Sequence, residues 1–159
     1  MPTDLGPAIF RNILNPVDGS DFAEIAGITA VELAARYSSP LTIFYVAKYP
    51  ANDLGVSSTN TVSVGRPLTD PATDRLKKRA VASMERIEKY ARTRGIAAHI
   101  EVIDTTSEIV NTIEVYAYQN RIDLIVIGSR GMNALKTALI GSVSEGILRQ
   151  ARCAAMVVR

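Results

Sequence analysis

The stretch DLIVIGSRGMNALKTALIGSVSEG (residues 123–146) joins an apolar run to a loop that contains four glycines. The apolar part, 123–128, predicts a strand buried on both faces, as the strands of a parallel sheet are. Glycine lets the backbone come close to another group, or adopt dihedral angles that a side chain forbids. Because the whole chain has only ten glycines, this cluster predicts a close approach directly after the strand.

Strand and helix patterns alternate on both sides of this stretch. We predict strands at 8–17, 40–47, 97–104, 123–128 and 154–159. Helices are predicted after a capping box of Asp21 and Glu24, and at 72–94, 107–120 and 144–150. This order predicts an α/β fold with a single domain over 1–159: a doubly wound, five-stranded parallel sheet with helices on both faces. Ligands bind such sheets at the carboxyl ends of the strands, where the strand order reverses.

The second predicted helix follows a segment of different character. Segment 48–71 is long, polar and without a period, which predicts a mobile loop. In the helix itself, apolar residues recur at helical spacing. We expect this stripe to be buried: Leu76, Ala80, Met84, Ile87 and Ala91.

Composition excludes several classes of protein. Hydrophobic residues make up 47% and charged residues 21%, which is typical of a soluble globular domain. The net charge of +2 and the scattered basic residues argue against a nucleic-acid partner. No apolar run approaches the roughly 20 residues that cross a bilayer, so we expect no membrane partner. The N-terminus has no signal-peptide pattern and Cys153 is the single cysteine, so we expect a cytoplasmic protein.

The glycines after the buried strand have a defined spacing, Gly-x-x-Gly, nine residues, then Gly-Ser: Gly128, Gly131, Gly141 and Ser142. A glycine-rich loop between a strand and a helix can hold a phosphate. Gly128 and Gly131 would let backbone N–H groups face an anion. Gly141, Ser142 and Val143 would lie at the N-terminus of the last helix, where N–H groups are unpaired. The hydroxyls of Ser142 and Ser144 would add donors.

Three other interpretations of this loop can be compared with the sequence: turns, a P-loop and a dinucleotide fingerprint. The glycines could simply make turns. A P-loop requires a glycine before Lys-Thr, but Lys136 and Thr137 follow Leu135. A dinucleotide fingerprint requires G-x-G-x-x-G soon after the first strand, and DGSDFAEIAG (18–27) lacks it. Two interpretations of the glycines therefore remain, a phosphate-binding loop and simple turns.

Few other side chains suggest chemistry. His99 lies on the polar phase of an alternating strand and should face solvent. Cys153 is expected to be an inert packing residue. Asp18 either has a functional role or caps the turn before the first helix. Arg130 and Lys136 either face a phosphate or are solvated loop residues.

Three quoted motifs, ILNPVDGS (13–20), DLIVIGSRG (123–131) and GSVSEGILRQARCAAMVVR (141–159), together with the glycine spacing, resemble the universal stress protein family and its ATP-binding subgroup. The resemblance extends over nearly the whole chain. It implies a Rossmann-like fold of the adenine nucleotide alpha hydrolase type. It also implies a cytoplasmic homodimer formed through the C-terminal strand, 154–158.

The resemblance further implies which residues bind ATP. Asp18 would contact the ribose, and Pro16, Val17 and Val46 at the ends of neighbouring strands would contact the adenine side. The phosphates would be held by the glycine loop: Gly128, Ser129, Arg130, Gly131, Gly141, Ser142, Val143 and Ser144. Any Mg²⁺ or Mn²⁺ would be carried by the phosphates, because no dedicated ligand cluster is visible.

The chain departs from the family pattern at three positions. Asn15 replaces a usually aliphatic residue of the first strand, so a polar group enters a central strand and needs a partner. Ser107 replaces a common glycine, and Ala154 replaces a common proline. None of the three belongs to the phosphate motif.

Two functions follow from the sequence. The first is a nucleotide-dependent regulatory or stress-response module, in which an unidentified protein partner responds to the ATP-bound state. The alternative is a slow ATPase or phosphotransfer enzyme. The first is favoured because no general base or Walker-type lysine is visible. A purely structural stress protein with an empty site is a third, weaker interpretation.

Overall fold

The computed structural model describes residues 10–51, 70–132 and 140–159. The predicted mobile loop spans 48–71, and its part 52–69 lies outside the described residues, as does Lys136. The prediction is wrong at its two ends, because Lys48 pairs with Thr105 as part of a strand and Pro71 begins a helix. The described elements in chain order are β1 (Ile13–Pro16), α1 (Asp21–Tyr37), β2 (Leu41–Lys48), α2 (Pro71–Thr93), β3 (Ala98–Thr105), α3 (Ile109–Gln119), β4 (Leu124–Gly128), α4 (Ser142–Gln150) and β5 (Ala154–Val158).

All the strand pairs are parallel, and the strand order is β3-β2-β1-β4-β5. The order therefore reverses between β1 and β4. Helices α1 and α2 pack on one face of the sheet, and α3 and α4 pack on the other. The predicted α/β fold, a doubly wound five-stranded parallel sheet, is confirmed.

Element boundaries differ from the prediction mainly at β1 and α4. The first strand was expected over 8–17, but its described part pairs only from Ile13 to Pro16. The last helix was expected from 144, but it begins at Ser142 with Gly141 as its N-cap residue. The glycine loop therefore leads into the helix two residues earlier than the pattern indicated.

The predicted capping box of α1 is wrong. Ser20 is the N-cap residue, and its side-chain oxygen accepts a hydrogen bond from the Ala23 N–H at 3.2 Å. Glu24 instead binds the Arg86 guanidinium of α2, with oxygen–nitrogen distances of 2.8 to 3.2 Å. This pair lowers the pKa of Glu24 below its usual range. The Glu24 side chain, which was expected to cap the helix, forms an ion pair with a neighbouring helix instead.

The buried stripe of α2 is confirmed for Ala80, Met84, Ile87 and Ala91, but Leu76 is 37% exposed. Helix α2 begins beside the end of β2, where the Thr73 hydroxyl donates to the Lys48 carbonyl at 3.2 Å. Leu76, in the second turn, consequently lies at the carboxyl edge of the sheet, on the wall of a cavity.

Candidate functional site

A cavity of about 480 Å³ opens at the carboxyl ends of the strands, where the strand order reverses. Every predicted site residue lines it except Ser129: Pro16, Val17, Asp18, Val46, Gly128, Arg130, Gly131, Gly141, Ser142, Val143 and Ser144. Ser129 is buried, and its backbone joins two neighbours. Its N–H donates to the Val158 carbonyl, and its carbonyl accepts from the Gly141 N–H, both at 2.7 Å.

The three motif glycines allow close contacts between parts of the protein itself. A Cβ at Gly128 would lie 2.6 Å from the Phe22 carbonyl carbon in the first turn of α1. One at Gly131 would lie 2.6 Å from Asp18 Oδ2, and one at Gly141 would lie 3.3 Å from the Gly131 nitrogen. None of the three has a positive φ. Space, and not unusual dihedral angles, is therefore the reason for glycine at these positions.

Helix α4 presents its N-terminus to the cavity. No side chain of the described residues caps it, so the first N–H groups, at Ser142 and Val143, have no partner within the helix. The Gly141 N–H is already used by the Ser129 carbonyl. The Ser144 hydroxyl donates to the Gly128 carbonyl at 2.6 Å and is buried, so this predicted donor serves the fold. At this helix terminus the available donors are the backbone groups and the exposed Ser142 hydroxyl.

The Asp18 carboxylate joins the two loops that border the cavity. Its Oδ1 accepts from the Ser20 N–H at 3.0 Å, and its Oδ2 accepts from the Met132 N–H at 2.8 Å. The first contact confirms the turn-capping role. The second connects the end of β1 to the glycine loop after β4, a contact that no local pattern indicates. Asp18 also lines the cavity.

The rest of the cavity wall is largely apolar. Phe44, Ile113 and Ile127 of the core form part of it, and Ile109 and Leu76 extend it towards solvent. Sequence reasoning missed Tyr45, Lys48, Thr73 and Leu76 as lining residues. Tyr45 and Lys48 could have been found because they lie in the last four residues of β2, and the carboxyl ends of the strands meet at this edge. Nothing in the local pattern separates Thr73 and Leu76 from the buried stripe of α2.

Charged pairs involve residues at the carboxyl ends of β2 and β3. Lys48 pairs with Glu108, and Lys77 pairs with Asp104 at 2.6 Å. Burial raises the pKa of Tyr45 to about 12, and the nearby charges of Asp18 and Asp104 add to the shift. Tyr45 is therefore a neutral hydroxyl group at pH 7.

Arg130 lines the cavity, but its guanidinium carbon lies 5.6 Å from the centre of the Phe22 ring. Such a position is typical of a cation–π contact. The Arg130 side chain therefore lies against α1 at the wall of the cavity.

The remaining candidates lie away from the cavity. His99 is exposed, with its Nε2 atom 3.0 Å from Glu101 Oε2. Burial raises the pKa of the Cys153 thiol, which agrees with an unreactive packing residue. Over 10–51, 70–132 and 140–159, no group of three His, Cys, Asp or Glu residues could hold a metal ion. No helix in the same ranges is long and apolar enough to cross a membrane.

Comparisons with known proteins agree with this architecture. The model of the universal stress protein family matches residues 9–159. The chain is 30% identical to the universal stress protein YxiE of Bacillus subtilis, over 95% of this chain and 100% of that protein. It is also 30% identical to the universal stress protein UspA from Lactobacillus plantarum, with a TM-score of 0.73 over 96% of this chain and 99% of that one.

A more distant structure shares the fold. The universal stress protein from Archaeoglobus fulgidus, in complex with dAMP, is 17% identical, with a TM-score of 0.66 over 95% of this chain and 99% of that one. The family model and the two relatives at 30% identity carry the assignment. The chain therefore belongs to the universal stress protein family.

Proposed function

We propose that the cavity binds ATP and that the protein is a nucleotide-dependent regulatory module. The observation that carries the proposal is the uncapped N-terminus of α4, which faces a cavity with an apolar wall and one carboxylate. Unpaired N–H groups and the helix dipole favour a phosphate group. The apolar wall suits a base, and Asp18 suits ribose hydroxyl groups as an acceptor.

The arrangement of the cavity supports an extended nucleotide. Pro16 ends β1 and Val46 lies in the last part of the adjacent β2 on one side, and Ser142 and Val143 begin α4 on the other. Adenine would lie against the first pair, with the Val46 backbone offering hydrogen bonds, and phosphates against the second. The related Archaeoglobus fulgidus protein, which has the same fold and is in complex with dAMP, agrees with an adenine nucleotide.

A divalent ion fits this proposal only through the nucleotide. Mg²⁺ usually binds by one or two carboxylates together with substrate phosphates. The carboxylate that lines the cavity in the described residues, Asp18, already accepts two backbone hydrogen bonds. Mg²⁺ or Mn²⁺ would consequently be carried by the phosphates.

Asp18 also suggests how ATP would change the protein. Its Oδ2 atom holds the Met132 N–H, and ribose hydroxyl groups would compete for the same oxygen. Binding would then alter the restraint on the glycine loop, and a protein partner would respond to the altered loop. Hydrolysis, if present, is expected below about 1 s⁻¹, because phosphoryl transfer needs positioned groups that the described lining residues do not supply.

Nucleotide extracted from freshly purified protein, followed by calorimetric titration, tests the proposal. Wild-type protein should bind ATP, adenosine and inorganic triphosphate. Asp18→Ala should weaken adenosine and ATP but leave triphosphate unaffected. Asp104→Ala is the matched control, because this carboxylate near the end of β3 pairs with Lys77 and does not line the cavity. Wild-type protein that binds none of the three ligands would overturn the proposal, and contaminant-free turnover well above 1 s⁻¹ would favour the enzyme.

A further inference from the structure

Asn15 is a buried amide in the middle of the central strand. It is 0% exposed, and its Nδ2 donates to the Val126 carbonyl of β4 at 2.9 Å. Its Oδ1 has no hydrogen-bond partner among the described residues. Burial of an unpaired amide oxygen is unfavourable. The donor side, which is satisfied, is therefore where a need for this amide would arise.

The hydrogen-bond ladder between β1 and β4 explains the need. Its register pairs Ile13 with Leu124 and Leu14 with Ile125, and it ends there. The Leu124 N–H points to β1, where it meets the Asn12 carbonyl at 3.4 Å. Since alternate residues of a strand point to the same neighbour, the Val126 carbonyl also points to β1.

The backbone donor that would meet the Val126 carbonyl is the N–H at position 16. Continued register would place Pro16 opposite Ile127, with its N–H directed to the preceding carbonyl of β4. Pro16 has no N–H. The Asn15 amide lies where that hydrogen bond would have formed, and it satisfies the same acceptor from the side chain.

We infer that Asn15 is a positioning residue of the proposed nucleotide crevice, because its amide replaces the missing N–H of Pro16 and lets β1 and β4 separate without leaving the Val126 carbonyl unpaired. The cavity begins at this point: Pro16 and Ile127, the next residues on the two strands, both line it. The inference rests on the proposed function of the cavity.

A double-mutant cycle tests the hydrogen-bond replacement. Asn15→Leu keeps the approximate size of the side chain but removes its hydrogen-bond donor. Pro16→Ala restores the backbone N–H at position 16. Asn15→Leu should lower the folding equilibrium constant in both backgrounds, but by about tenfold more when Pro16 is present than when Ala replaces it. This difference corresponds to about 1.4 kcal/mol. If Asn15→Leu destabilised both backgrounds equally, the Asn15 amide would not replace the N–H of Pro16.

Amide exchange gives a second test that does not require N15L to fold. In the N15L/P16A variant the Asn15 amide no longer occupies the Val126 carbonyl, so the amide at position 16 should donate to it and be protected from exchange. Exchange at the rate of an exposed amide would overturn the inference. If N15L is unfolded and N15L/P16A is folded, that rescue supports it.

Ligand binding separates positioning from a purely structural role. N15L should lose about tenfold in adenosine affinity, while inorganic triphosphate at the α4 N-terminus should bind as in wild type. Unchanged adenosine affinity would overturn the positioning role. If wild type itself bound neither ligand, the proposed function and the positioning role would both be wrong. The stability cycle would still decide whether Asn15 replaces the N–H of Pro16.

Discussion

At the scale of single residues, Gly131 and Asp18 act as a pair. A methyl group at Gly131 would lie 2.6 Å from Asp18 Oδ2, the atom that accepts from the Met132 N–H. Gly131→Ala should therefore displace the carboxylate and weaken adenosine binding by about tenfold, or about 1.4 kcal/mol. Calorimetry in two backgrounds checks this: in the D18A background the same change should have no further effect. Equal losses in both backgrounds would show that Gly131 acts independently of Asp18.

The free energy of unfolding at alkaline pH should depend on the ionisation of Tyr45, the buried tyrosine that lines the cavity. Burial raises the pKa of Tyr45 from 10.0 to about 12. Between these values the unfolded chain loses the proton and the native protein keeps it, so the free energy of unfolding falls as pH rises from 10 to 12. This contribution is fully present below pH 10.

Denaturant titrations across that pH range check the tyrosine. Tyr45→Phe should flatten the pH dependence by up to about 1.4 kcal/mol per pH unit, the effect of one proton. Tyr118→Phe is the matched control, because this tyrosine is 71% exposed. If the curves of Y45F and wild type run parallel, Tyr45 does not contribute.

At the scale of elements, the N-terminus of α4 should attract negative charge. Ser142→Asp places a carboxylate in its first turn, which should stabilise the protein by about 0.3 to 1 kcal/mol through the helix dipole. The same carboxylate should repel triphosphate and reduce its affinity by about tenfold or more. Thermal unfolding and calorimetry measure the two effects.

Asn111→Asp provides the control for α4. Asn111 is exposed in the first turn of α3 and does not line the cavity. The substitution should give a similar gain in stability without loss of triphosphate affinity. If S142D bound triphosphate as tightly as wild type, the phosphate site would not lie at α4.

At the scale of the whole molecule, β5 forms one edge of the sheet among the described strands. Its Ala154 N–H and Val158 carbonyl face β4, so Ala155 and Val157 direct their backbone groups outward. Exposed strand edges favour pairing with another chain. We expect a homodimer through 154–158, and sedimentation at micromolar concentration should detect it.

Proline substitution tests the edge without breaking the β4 ladder. Ala155→Pro removes an outward N–H and should give a folded monomer. Ala98→Pro is the matched control at the opposite edge, where the Thr105 carbonyl faces β2 and Ala98 faces outward. A98P should remain a dimer. A monomeric wild type, or a dimeric A155P variant, would contradict assembly through this edge.

Local patterns in the chain were enough to predict the layers of the fold and the loop that lines the cavity. Alternating apolar patterns are local, and they predicted the parallel sheet because each element must bury its own apolar face. The glycine spacing lies within one loop, and it predicted residues that line the cavity. These signals can be read from neighbours in the chain.

The contacts of the glycines and the polar groups depend on how distant segments of the chain pack together. Gly128 approaches Phe22, Gly131 approaches Asp18, and Ser144 donates to Gly128. Asn15 meets Val126 because Pro16 lacks a donor on the facing side of β1. Most of these partners are about a hundred residues apart in the chain. No periodicity encodes their distances, because helix packing and strand register bring them together only in the folded protein.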